Sequence, residues 1–233
     1  MRIACLLVPD LPLQAALRAD PEARDRPLAI LSGPESRAEI IALSRPALDR
    51  GIRKGQTPSQ ARAICPDIGI RIVSPVLLRA AREAMLDVAL SLAPRAEPAR
   101  EGSGPFASEA AVHVDATGIG ALHGNPRSED APPTRALRVH EHAFASVLHA
   151  RADQAGIRGF VALASTRGLA RLCARHLALA SASPTSRKAP LQTTRILLPE
   201  DESGFLSPLP IDLLDPDDRT AQALTRFGLH RIG

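Results

Sequence analysis

The chain has 233 residues, enough to bury a sizeable core in one domain or in a domain with a satellite, and no apolar run in it approaches the ~18 to 20 residues of a membrane-spanning helix. Its three cysteines, Cys5, Cys65 and Cys173, are odd in number and show no CxxC spacing, which argues against both a disulfide framework and a zinc cage. The formal net charge of +4 points mildly toward nucleic acid, while five Phe with no Tyr or Trp leave little aromatic surface for base stacking.

In chain order, residues 2–8 read as an apolar strand, 13–18 as a short helix, and 27–32 and 39–43 as further strands. An opening on a strand, without the layout of a signal peptide, predicts a cytoplasmic protein. Residues 44–67 hold helical turns broken by Gly51, Gly55 and Pro58. Residues 74–92 form the clearest amphipathic helix. Ser74-Pro75 is its start signal, and Leu77, Leu78, Ala81, Met85, Val88 and Leu92 recur at helical spacing.

A strand near 95–99, a Gly/Ser/Pro loop at 101–105 and a strand within 108–118 follow. Residues 125–133 predict a surface loop, 134–155 a long helix, 158–164 a strand and 167–180 another helix. The Ser/Thr/Pro-rich stretch 181–194 predicts a linker, and 208–233 a small helical module. This order predicts an α+β fold with helices on one face of a mixed sheet.

Charge is unevenly distributed. Residues 134–190 hold nine Lys/Arg against two acids, Glu141 and Asp153, a local +7 that leaves the remainder at about −3. Most of these cations are arginines, including Arg158, Arg167, Arg171 and Arg175, whose planar forks suit phosphate oxygens; the competing reading is a solvated helix face. Three other patterns carry less. Cys173 and His176 lie one helical turn apart but read as packing residues. His140, Glu141, His142 and His149 read as solvent-facing, because a spacing of two on a helix separates the imidazoles. Gly118-Ile-Gly-Ala-Leu-His-Gly124 imitates a dinucleotide fingerprint with its last glycine one residue late, and reads as a turn.

The segment Ser108-Glu-Ala-Ala-Val-His-Val-Asp-Ala-Thr-Gly118 resembles a strand of the Y-family (UmuC-like) translesion DNA polymerases, which reads roughly Ser-x-Asp-Glu-Ala-Tyr-Leu-Asp-x-Thr-Gly. Aligned on Val114 to Gly118, the two family carboxylates fall on Ala110 and Ala111. A third, in a pattern like Val-Asp-x-Asp-x-Phe-x-Ala, falls on Val8, and only the second Asp survives, as Asp10. Arg45-Pro-Ala-Leu-Asp-Arg-Gly-Ile-Arg-Lys-Gly-Gln-Thr-Pro58 is similar to the family's fingers segment and keeps its Gly-Ile-x-x-Gly-x-x-Pro skeleton. The nucleotide-holding Tyr and Arg map to Arg45 and Leu48, and the sugar-stacking aromatic to Leu13. Arg167 and Arg171 fall where the family has Lys.

The resemblance implies a palm in two parts (1–34 and 74–180), a fingers-like segment (35–73), an irregular linker (181–207) and a partial, helix-hairpin-helix-like thumb (208–233). It also implies that the chain is a fragment or truncated product. Polymerisation needs two divalent metals clamped by carboxylates, and alanine and valine bind none. The resemblance therefore implies an inactive, ImuB-type member. Such a member has no catalytic site, only vestigial positions at Val8, Asp10, Ala110, Ala111 and Asp115. It has no metal site, and no nucleotide site beyond the vestiges Leu13, Arg45 and Leu48.

The implied role is accessory, in bacterial, nucleoid-associated translesion synthesis. Arg158, Arg167, Arg171 and Arg175 would contact DNA without sequence preference. The implied protein partners are an active translesion polymerase, a RecA-like protein and, through regions outside this chain, the sliding clamp. The thumb turn Leu214-Asp-Pro-Asp-Asp218 carries three carboxylates and is expected to repel a phosphate. Two alternatives remain: an active polymerase whose Mg²⁺ site is rearranged onto Asp10, Glu109 and Asp115, and a fragment that only occupies a partner's interface.

Overall fold

The computed structural model describes residues 1–34, 38–118, 133–182 and 192–233, without the side chains of 133–137. The glycine pattern after Gly118, all but the last residue of the loop 125–133 and most of the linker lie outside the described residues, as does the side chain of Arg135.

The first strand, β1 (Ile3–Val8), is apolar at every position and fully buried. Such a run, without alternation, requires cover on both faces of a sheet. β1 is the middle of a five-stranded sheet in the order β5-β6-β1-β7-β8. It pairs antiparallel with β6 (Ala110–Asp115) and β7 (Phe160–Ala164), β5 (Ala96–Pro98) extends the sheet beyond β6, and β8 (Thr194–Ile196) runs parallel to β7. Ala4, Leu6 and Val8 pack toward helices α4 (Pro75–Leu90) and α5 (Pro133–Gln154), while Ile3, Cys5 and Leu7 pack toward α6 (Arg167–Ala182). Helices thus cover both faces, a correction to the one-faced arrangement expected from the element order.

A smaller, three-stranded sheet, β3-β2-β4, is made by β2 (Leu28–Leu31), β3 (Ile40–Leu43) and β4 (Gly69–Ile72). Helix α1 (Leu11–Ala19) joins the two units: Leu11 and Ala15 enter the large core, and Leu13, Ala16 and Leu17 pack on Leu28, Ile30 and Ala42. Two short helices, α2 (Arg45–Asp49) and α3 (Pro58–Ile64), complete this unit, and a reciprocal cap between Thr57 and Gln60 starts α3. Among the described residues β2 pairs with β3 and β4 alone, so this strand, on the palm side of the boundary expected at residue 34, belongs to the smaller sheet.

The expected irregular segment 181–207 contributes β8 to the large sheet and also contains α7 (Glu202–Leu206). After it, a 3-10 turn (Ile211–Leu214) and α8 (Asp218–Arg226) form the C-terminal module, closed by the Pro210–Arg231 bridge. All three cysteines are buried and free. Among the described residues no helix is long and apolar enough to cross a membrane.

Candidate functional site

The centre of interest lies where β1 ends and β6 begins. Antiparallel register sets Val8 opposite Ala110 and Leu7 opposite Ala111, and opposed Cα atoms in such a ladder are about 4.5 to 5.5 Å apart. Val8 and Ala110, two of the three positions that the resemblance assigns to carboxylates, are therefore cross-strand neighbours, with Ala111 next along β6 on the opposite sheet face, and the three present one isopropyl group and two methyl groups. Val8 is fully buried and packs with Ala110 toward α4 and α5, while Ala111 is buried on the α6 side. Mg²⁺ takes oxygen ligands in near-octahedral geometry. These side chains supply none, so the residues present do not fit the metal pair of a polymerase.

Asp10 follows directly, and the fingers-like loop reaches it. Gly51 and Gly55 take φ of +92° and +82°, left-handed backbone that glycine adopts without a Cβ clash. Gly55 N–H donates to Ile40 C=O at 2.8 Å, tying the turn to β3, and the turn presents Lys54 Nζ 2.5 Å from Asp10 Oδ1. Arg45 pairs with Asp49 within α2 at 3.3 Å, Leu48 lies partly exposed on the same helix, and Leu13 is buried against the small sheet.

Glu109, one residue before the vacated pair, is 4% exposed and held by two guanidinium groups. Arg171 Nε donates to its Oε1 at 2.7 Å. Arg175 donates to its Oε2 from Nε at 2.8 Å and to its Oε1 from Nη2 at 2.9 Å. Arg175 also donates to Leu213 C=O and stacks 3.8 Å above the Phe106 ring. Asp115 closes the turn at the other end of β6, accepting from Thr117 N–H at 3.0 Å. That hydrogen bond, with the Thr117 hydroxyl, holds its carboxyl below the usual range. Five residue steps separate Ala110 from Asp115, about 17 Å along a strand. Asp10, Glu109 and Asp115 are thus engaged separately, and no metal-holding group of three or more His, Cys, Asp or Glu exists among the described residues.

The four arginines expected on DNA divide in two. Arg158 and Arg167 are well exposed, in surface pairs with Asp153 (3.5 Å) and Glu97 (2.8 Å). They sit at opposite ends of β7. Arg171 and Arg175, expected to contact DNA, have side chains only 15% and 5% exposed, which also removes the competing reading of a solvated face. Their spacing of four puts both on the flank of α6 that meets Glu109. A second correction concerns Glu141, expected to face solvent. It is buried and receives Arg2 through two hydrogen bonds of 2.6 and 2.8 Å.

His113, beside this network on β6, has a buried Nε2 with no hydrogen-bond partner among the described residues. Burial, followed by the nearby Arg171 charge, lowers its pKa. In the C-terminal turn the carboxylates have internal tasks. Asp217 caps α8 by accepting from Thr220 N–H at 2.8 Å, and Asp215 accepts from Ser103.

The sequence profile of the family described as impB/mucB/samB spans residues 11–175 of this chain. The chain belongs to the impB/mucB/samB family. Its family fold is seen in the insertion ternary complex of Dbh DNA polymerase, with a TM-score of 0.64 and 16% identity over 98% of this chain and 58% of that one. DinB from Sulfolobus solfataricus is similar, with a TM-score of 0.59 and 15% identity over the same shares. The chain therefore spans about 58% of the length of these structures. No curated protein matches the sequence. An impB/mucB/samB domain of Y-family polymerase-like fold is thus established.

Sequence reasoning missed the buried Glu109–Arg171–Arg175 cluster and the attachment of Asp215. The spacing of four between Arg171 and Arg175 was the one local signal available, and nothing local identified Glu109 as their partner.

Proposed function

We propose that this chain is a non-catalytic, ImuB-type member of its family, an accessory factor that binds DNA and proteins during bacterial translesion synthesis. The observation that carries the reading is the Val8–Ala110 rung with Ala111 next along β6: the positions that the resemblance assigns to carboxylates are neighbours on the sheet and carry no side-chain oxygen. A second observation agrees with it. The nearest buried carboxylate, Glu109, is neutralised by internal arginines and is not free for a metal.

DNA contact in this reading is electrostatic and indifferent to sequence. It runs through exposed cations, Arg158 and Arg167 first, with Arg171 and Arg175 shaping the surface from within. The protein partners that fit are an active translesion polymerase and a RecA-like protein, with the sliding clamp engaged by regions outside this chain.

The test is primer extension with Mg²⁺ and with Mn²⁺, run beside a salt titration of DNA binding. The expected result is no extension together with salt-sensitive binding. Templated nucleotide addition by the purified chain would overturn the proposal.

A further inference from the structure

Residues 208–233 rest on the five-stranded unit through the buried Leu209 and Leu213, through Ile232 packed against the same core, and through the polar contacts of Asp215. Its carboxylate accepts from Ser103 N–H at 3.0 Å and from Ser103 Oγ–H at 2.6 Å, and lies 4.0 Å from Arg175 Nη2. Its φ of +56° is the single positive value among described non-glycine residues, a backbone region unfavourable for side chains other than those of Asn and Asp. Asp is one of the side chains that tolerate this conformation, and the clasp fixes it there. Two residues earlier, within the 3-10 turn that Asp215 ends, Leu213 is buried and its carbonyl accepts from Arg175. Beyond Asp215, α8 buries no residue, and Ile232 is the next side chain to return to the core.

Between this module and α6 lies a cleft with Arg100, Arg171 and Arg175 on one wall and Asp215 and Asp217 on the other. Glu101 also lines the cleft and Glu109 lies behind it. With the module in place the carboxylates outnumber the guanidiniums; with it removed, the guanidiniums outnumber the carboxylates. A phosphodiester presents the same paired anionic oxygens as a carboxylate to an arginine fork.

We propose that residues 208–233 act as an autoinhibitory strap. Asp215 closes the strap on Ser103 and Arg175, and the strap's carboxylates occupy the arginine cleft in place of nucleic-acid phosphate. The inference rests on the DNA-binding reading above and adds its regulation: DNA gains the cleft only when the strap lifts.

The test uses the full chain as wild type, Asp215→Gly and Ser103→Ala. Glycine accepts the left-handed backbone and removes only the carboxylate, while Ser103→Ala removes the hydroxyl donor at an exposed site. Amide exchange is followed by mass spectrometry, and binding with a short fluorescein-labelled duplex across a salt series. The strap predicts exchange faster by about tenfold or more within 208–233 and 100–107 in Asp215→Gly, the size expected for losing a charge-assisted hydrogen bond, with the rest of the chain unchanged. It also predicts duplex binding about three- to tenfold tighter with a steeper salt slope. Ser103→Ala should move in the same direction by less.

Unchanged exchange in both variants overturns the strap. A lifted strap with unchanged affinity, in a wild type that does bind the duplex, overturns autoinhibition and leaves DNA binding standing. A lifted strap with no duplex binding by any of the three proteins overturns both.

Discussion

Glu109 and Arg175 form a two-point ion pair inside the protein, at 2.8 and 2.9 Å, with side chains 3% and 5% exposed. Removing one partner of such a pair leaves the other charge buried without compensation. Glu109→Gln, which keeps the shape and deletes the charge, should therefore destabilise the chain by about 3 to 5 kcal/mol in urea unfolding followed by circular dichroism. A loss below about 1 kcal/mol, the scale of an exposed pair, would mean that the cluster is solvated after all.

Exposed and buried arginines should separate experimentally. Arg158→Gln with Arg167→Gln should reduce the slope of log affinity against log salt by about two units, one per lost phosphate contact, while shifting stability by no more than about 0.5 kcal/mol. Arg175→Gln should do the reverse, lowering the urea midpoint. Equal slopes for wild type and the double variant would remove these two residues from the DNA surface.

That division shows where local sequence information ends. The unbroken apolar run of β1 was legible and, taken literally, already required cover on both sheet faces. Ser74 and Pro75 marked the start of α4 correctly, because capping is a contact within one turn: Ser74 Oγ accepts from Leu77 N–H at 3.4 Å. β8 was illegible, being three residues beside a Ser/Thr/Pro-rich stretch, defined by its partner β7 rather than by its own pattern. Likewise, an arginine at an α6 position reads as solvated until Glu109, 66 residues away, is known to meet it. The alignment of Val8 with Ala110 depended on motif spacing, which survives where side-chain chemistry does not.

Stability should rise with pH through the imidazole range. Burial first, and the Arg171 charge second, depress the pKa of His113, and burial followed by Arg195 depresses that of His176. Below about 6.5, the ordinary histidine value, the unfolded chain then binds more protons than the folded one, so acid favours unfolding. The urea midpoint should climb from pH 5 to pH 7 and flatten above, and His113→Leu should weaken the climb. Asp115 and Asp215, both depressed, act with the same sign nearer pH 4: their contribution is present above the unfolded carboxylate value and lost as pH falls through the folded one. A midpoint independent of pH between 5 and 7 would contradict the burial of these imidazoles.

Millimolar Mg²⁺ should leave the thermal midpoint of the wild type unchanged, since a ligand raises it only by binding the folded state preferentially. Val8→Asp alone should not create a metal site. It would place a lone carboxyl at a fully buried position and cost about 3 kcal/mol or more, with Mg²⁺ restoring little of the loss. Recovery of wild-type stability by Mg²⁺ in that variant would show that a coordinating shell persists around the rung.

The central place of β1 also bears on how the protein is made. The strand leaves the ribosome well before its neighbours, which are encoded far downstream, Ala110 opposite Val8 and Phe160 opposite Leu7. At roughly 5 to 20 residues per second, a six-residue apolar strand waits several seconds or longer for its first partner. It carries no charge and no proline, the composition of segments that pair with copies of themselves when left uncovered. Until β6 has been synthesised, this strand has no native partner to compete with pairing between copies of itself.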